Sequence, residues 1–278
     1  SAMTAVTAAK AFARDKGVKW VLFGWSIFTV ENLFMSEYKM EIKKYWGGRG
    51  GPQAYQTMYS TLSGLASMSI FAAYWRFSRF GVQLGAPSLV HRILGFGGRV
   101  LGLGTLSQLM PPINVGALQI ALGIRPEPSR DLPPQVRGAM ACPFDFNAYA
   151  SRGEVFGITR VSRRPELVGL GFFGLAGALV ATTATQVTMW GLGPVVSFSI
   201  LAMHSDRVQR RSGELSPEKE QQTSLFPFLA LLDGRQSMSA LREELVTSNL
   251  VAAGLLAFFL SAGGAVKPSW VAFGKTTF

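Results

Sequence analysis

An all-α membrane protein, a helix bundle with about six transmembrane helices, is the fold class this sequence predicts, and three observations predict it. Of its 278 residues 15% are charged and 48% hydrophobic, whereas roughly a quarter of residues are charged in an ordinary soluble domain. The mean hydropathy is positive. Several apolar stretches approach the ~20 residues that cross a bilayer, and a soluble domain of this length rarely holds more than one. The chain reads as a single membrane domain over 1–278, with an N-terminal extension at 1–17 and a long basic loop at 111–165.

The expected spans are 18–35, 56–75, 91–110, 166–185, 187–203 and 248–266. The first two are rich in aromatics. The third carries Gly95, Gly97, Gly98, Gly102 and Gly104 and stops at Pro111 and Pro112. Glycines there allow another helix, or a flat ligand, to approach closely, and helix packing is the ordinary reason for them. Almost nothing separates the fourth and fifth spans, which predicts a tight antiparallel hairpin. The run 125–134 holds too many prolines for a helix. The extension carries Lys10, Arg14 and Lys16 without the apolar core of a secretory signal, as the stump of a removed transit peptide would.

The hairpin brings Arg160, Arg163 and Arg164 to the same face as Arg207, Arg210 and Arg211. With six spans, the loops on that face (36–55, 111–165 and 204–247) hold 17 of the 27 Lys and Arg. The positive-inside rule puts them on the cytoplasmic or stromal side, with both termini opposite. The apolar run 113–124 is the weak point of this topology, because a seventh crossing there would reverse the first half. The net charge of +11 is spread between apolar segments. That distribution speaks for topology and for contacts with anionic lipids or acidic partners, and against nucleic acid. A single cysteine, Cys142, excludes an internal disulfide and a cysteine-based zinc site. Glu31 in the first span and Arg99 in the third are costly in a membrane and are expected to form an ion pair with each other.

Between 153 and 239 a series of motifs occurs in order: Arg163-Arg164-Pro165 before a helix, Leu175-Ala176-Gly177 within it, His204-Ser205-Asp206-Arg207 at the end of the next, and Pro227-Phe228 followed by Asp233-Gly234-Arg235-Gln236. The series resembles the 15-cis-zeta-carotene isomerase and NnrU-like membrane family. The resemblance implies haem b and isomerisation of the central cis double bond of a linear carotene. It also implies histidines where this chain has Arg164, Gly177 and the histidine-free stretch 71–80. Guanidinium cannot ligate iron.

Only His91 and His204 remain. Both fall at helix ends, where an interfacial role is the default, and on opposite faces, which excludes a haem held by the two together. Either one, or Glu31, is a candidate axial ligand for the magnesium of a chlorophyll. Asp206, Arg207, Asp233, Gly234 and Arg235 are expected in salt bridges and turns at the basic face. These features predict a non-catalytic, haem-less relative. It would be a structural or pigment-contacting subunit among the photosystem or antenna proteins of a chloroplast thylakoid membrane, touching lipid, chlorophyll or carotenoid. The alternative is an active isomerase whose haem b is held by other donors, such as His91, Cys142 or a methionine. A transporter, the third class, would show a broken, polar-lined helix at mid-membrane.

Overall fold

A computed structural model describes residues 5–46, 51–78, 81–126, 135–136, 140, 142–150, 152–153 and 155–262. Every regular element among them is helical. In chain order these are α1 (Ala5–Arg14), α2 (Lys16–Glu37), α3 (Lys39–Trp46), α4 (Gly51–Phe77), α5 (Leu89–Ser107), α6 (Val115–Ala121) and α7 (Phe146–Ala150). After a 3-10 turn at Gly157–Arg160 come α8 (Pro165–Leu179) and the continuous α9 (Ala184–Ser212), then α10 (Pro217–Gln222), α11 (Leu229–Leu232), α12 (Met238–Glu244) and α13 (Thr247–Ala262). By length and composition α9 is able to cross a membrane, and α12 with α13, bent by 83°, adds a second candidate if the pair counts as one.

Asp15 explains why α2 starts where it does and what it starts against. Its Oδ1 accepts from Gly17 N at 2.7 Å and Val18 N at 3.2 Å, covering two of the amides that a helix start leaves open. Its Oδ2 accepts from Val82 N at 2.7 Å, and Ala184 N donates to Val82 O at 2.9 Å. The starts of α2 and α9 and the segment after α4 therefore meet at one end of the bundle. Gly17 is required there, because a Cβ would lie 2.2 Å from Thr185 Oγ1.

The α5 and α8 helices pack backbone to backbone. A Cβ at Gly102 would stand 2.6 Å from Phe173 N and 2.8 Å from Gly169 O, and one at Gly98 would stand 2.9 Å from the Ala176 Cβ. Helix packing thus accounts for Gly95, Gly98 and Gly102, whereas Gly97 faces open space. The hairpin is present, but its break lies at 180–183 and α9 begins at Ala184, before the expected boundary. Thr183 and Gln186 form a capping box, with Thr183 Oγ1 accepting from Gln186 N and Gln186 Oε1 from Thr183 N. Of the run 113–124, residues 115–121 are helical, ~10 Å long and far short of a crossing. Gly123, with positive φ, turns the chain back there. The proline-rich 127–134 and the end of the sixth expected span, 263–266, lie outside the described residues.

Within α9, Pro194 removes one amide and would crowd the carbonyl of residue 190. A π-turn over Thr188–Leu192 relieves this, and the Trp190 carbonyl lies where a Gly174 Cβ would be, at 2.5 Å. Val21, Ile70 and Met189 form a buried apolar core, and several polar side chains are buried beside apolar ones that are exposed. Asn249, Thr185, Thr188, Thr223 and Ser162 are at most 1% exposed, while Trp75, Leu89, Met68 and Phe259 are 66% exposed or more.

Replacing Gly102 by Ala should cost about 1–3 kcal/mol through overpacking, read as a lower thermal midpoint in detergent. Gly97→Ala, in open space, should leave that midpoint unchanged.

Candidate functional site

The motif residues other than Leu175, Ala176 and Gly177 gather at the end of the bundle opposite Asp15. Pro165 opens α8 as its first residue, with Arg164 at the N-cap. Arg163 is almost fully buried. Its Nη1 donates to Asp206 Oδ1 at 2.9 Å and its Nη2 to Thr223 O at 3.0 Å, while its backbone N reaches Ser224 O at 2.8 Å. Asp206 also accepts from Arg210 Nε at 2.9 Å, and Arg210 in turn meets Glu220. Asp233, Gly234 and Arg235 make a turn with Gly234 at φ 80°, and Arg235 donates to Asp233 and to Thr223 O. The expected salt bridges and turns are therefore present, and they bind the start of α8 and the ends of α9 and α10 into one clasp.

Beside it, Arg160 holds Glu244 through two nitrogens, at 2.7 and 2.5 Å, and also reaches Gln236. Gly157 N donates to the same carboxylate at 2.6 Å. These hydrogen bonds, Arg160 first, hold the Glu244 carboxyl below its ordinary value. Glu37, at the end of α2, is lowered likewise by Arg211, which donates at 2.7 Å; Arg207 lies 3.6 Å away on the exposed side. Arg164 donates its N–H to Ser162 Oγ and stands 3.7 Å from Glu166.

Gly177 lies beside the π-turn. A Cβ there would meet the Trp190 side chain at 2.8 to 3.2 Å, so the indole occupies the space that a longer side chain would need. A histidine at this position requires Trp190 to move, and Arg164 at the other position offers only donors.

The remaining candidates are separated by the fold. His91 is exposed at the start of α5, with Nδ1 2.6 Å from the Ser88 hydroxyl. That bond leaves Nε2 to meet an outside group, which is how ligating histidines are usually oriented. His204 is turned inward. Its ring is 12% exposed and Nε2 is 3.6 Å from Glu37 Oε2, which gives a macrocycle no approach. Its place among the pigment ligands is withdrawn on that ground.

The expected ion pair between Glu31 and Arg99 is not formed. Glu31 accepts from the Ser63 hydroxyl, whose Oγ is 3.0 and 3.1 Å from its two oxygens, and from Asn32 Nδ2 at 2.9 Å. Tyr59 closes this cluster on Asn32 Oδ1 at 2.6 Å. Arg99 instead donates to Ser261 Oγ at 2.9 Å, because α5 adjoins α8 and α13 while α2 adjoins α4 and α9.

Sequence reasoning missed two polar joints. Gln108 exchanges hydrogen bonds with the Val246 backbone in both directions, and Asn249 takes Ile113 N while donating to Ser107 O. An amide just past a helix end is the only signal that either left in the sequence. Among the described residues no group of three or more His, Cys, Asp or Glu is placed to hold a metal ion. No family model, curated protein or solved structure matches the chain.

Arg163→Ala, which breaks a buried pair, should cost about 3–5 kcal/mol. Arg207→Ala, at an exposed pair, should cost at most about 1 kcal/mol in the same unfolding measurement. Because the folded pKa of Glu244 is depressed, its contribution is complete above its unfolded value near ~4.3 and fades as pH falls through the lower folded value. Glu244→Gln should therefore reduce stability at neutral pH and flatten its loss on acidification below about pH 4.

Proposed function

We propose that this chain is a polytopic membrane subunit without catalytic activity, related to the zeta-carotene isomerase family, that positions pigments or partner proteins in a photosynthetic complex of the thylakoid membrane. In this reading α2, α4, α5, α8, α9 and α13 are the six spans, and the loops of the clasp lie on the stromal side. The large apolar side chains exposed on the outside of the bundle carry the membrane part of the reading. Large apolar side chains such as Trp75, Met68 and Phe259 face outward while Asn249 and Thr188 are sealed inside, a distribution that water would penalise and lipid, pigment or protein surroundings reward.

The absence of catalysis is supported by the site where the resemblance implies a histidine: Gly177, with Trp190 packed into the adjoining space. The motif residues that remain are spent on one another, since Arg163 with Asp206 and Arg235 with Asp233 form an architectural clasp. Such a subunit acts by filling space, excluding lipid and fixing the positions of its neighbours. His91 is its best candidate for contacting a chlorophyll. Its imidazole stands at the membrane edge beside Leu89, Val90, Ile93 and Leu94, all exposed, an apolar ledge suited to a flat macrocycle held by one axial donor.

An absorption spectrum and pyridine-haemochrome assay on the gently solubilised native protein, with identification of what co-migrates on a native gel, tests this function. The expected result is no haem and co-migration with a chlorophyll-containing complex, with chlorophyll lost from the subunit on His91→Leu. Stoichiometric haem b in a protein without a large partner would overturn the reading in favour of the active isomerase.

A further inference from the structure

Arg99 is the charged group that no part of the clasp or the Glu31 cluster uses. It lies ten residues into α5, yet its neighbours place it near the end of the bundle that carries Asp15. Tyr74 is one turn before the end of α4, and Gly177 and Val180 lie at the end of α8. With Arg99 they line a cavity of about 390 Å³ between α4, α5, α8, α9 and α13, whose apolar wall includes Phe173 and Trp190. Its size falls at the lower end of the range for ligand pockets, roughly 300–1,000 Å³.

The polar groups on this cavity are chiefly donors. Arg99 has five N–H groups, and the hydrogen bond that it makes among the described residues goes to Ser261, a neutral hydroxyl. Gln186 has its amide oxygen committed to Thr182 and Thr183, so its NH2 is what it has left to offer. No carboxylate among the described residues pairs with Arg99, and Glu31 is engaged between α2 and α4. A guanidinium in apolar surroundings without an anion is expensive.

We infer that this cavity is a binding site for an anionic lipid. The lipid's phosphate or sulfonate oxygens accept from Arg99 and Gln186, and its acyl chain lies against Trp190, Phe173 and Leu260. The site's depth supports this assignment. Arg99 is one to two turns inside the end of the bundle, within reach of a headgroup for a side chain that extends toward the interface. The π-turn sets the wall, because Pro194 displaces the backbone and Trp190 then lies across Gly177 toward Tyr74, whose ring centroid is 6.1 Å from the indole. The inference rests on the membrane reading and is independent of pigments and haem.

The test is quenching of Trp190 fluorescence in nanodiscs containing bromine-labelled phosphatidylglycerol or bromine-labelled phosphatidylcholine, with Trp190→Phe giving the background of the other tryptophans. The wild type should be quenched by the anionic lipid at about a tenfold lower mole fraction than by the zwitterionic one, because both carry a phosphodiester but phosphatidylcholine adds a cation that is repelled by the Arg99 guanidinium. Arg99→Gln should abolish that preference and Arg99→Lys should keep part of it. Ala181→Phe, which fills the cavity and leaves Arg99 in place, should also abolish it, and decides the matter if Arg99→Gln does not fold. Equal quenching by the two lipids in the wild type, or a preference that survives both Arg99→Gln and Ala181→Phe, would overturn the site. Displacement of the lipid by inorganic phosphate would overturn the lipid assignment in favour of a free oxyanion. Failure of the chain to insert into nanodiscs at all would instead defeat the membrane reading on which the site depends.

Discussion

Polar side chains buried between helices are out of reach of water, so leaving them without a partner is costly. The organisation of this molecule follows from that constraint. Glu31, Asn32, Ser63 and Tyr59 satisfy one another between α2 and α4, and Thr29 meets Ser197 at 2.8 Å between α2 and α9. Asn249 and Gln108 do the same work where α5 ends and α13 begins. The outer face carries many of the Trp, Phe, Leu and Met side chains, together with hydroxyls that bond back to their own helix, as Thr61 and Ser199 do. Close packing then depends on glycine, since Gly98 and Gly102 let α5 approach the α8 backbone where larger residues would hold it off.

The two ends of the bundle are tied by different chemistry. One end is joined by Asp15, a single carboxylate that caps α2 and also reaches Val82. The other is joined by arginines that thread through the loops to Asp206, Glu244 and Asp233. The residues that resemble an enzyme family's motifs belong to this second device. Their hydrogen bonds run to carboxylates and backbone carbonyls of their own chain, a role that needs no histidine and no cofactor. The clasp holds the helices together whether or not any chemistry takes place beneath it.

The helical class was legible from hydropathy, and α2, α4 and α5 begin and end within a few residues of the expected spans because their apolar stretches are bounded by charge, glycine or proline. The break between α8 and α9 was misplaced because the residues around it are apolar and threonine-rich throughout; Thr183 and Gln186 carried the signal as a capping box. Glu31 and Arg99 were expected to pair because both are charged and lie in spans, but hydropathy does not say which helices adjoin. In the fold they reach different neighbours. The inward turn of His204 toward Glu37 was hidden for the same reason. Asn249 and Gln108 were not legible at all, since a lone amide acquires meaning only from the backbone group that packing brings to it.

Site-directed spin labelling, after Cys142 is replaced by Ser, addresses the surroundings of the exposed apolar faces most directly. Labels at Met68 and Phe259, on the outward apolar faces, and at Leu232, in the exposed turn of the clasp, would be compared for collision with oxygen and with a water-soluble nickel chelate in reconstituted membranes. The account predicts that Met68 and Phe259 meet oxygen and exclude nickel while Leu232 meets nickel freely. Nickel access at Met68 and Phe259 equal to that at Leu232 would contradict it, because those faces would then be in water.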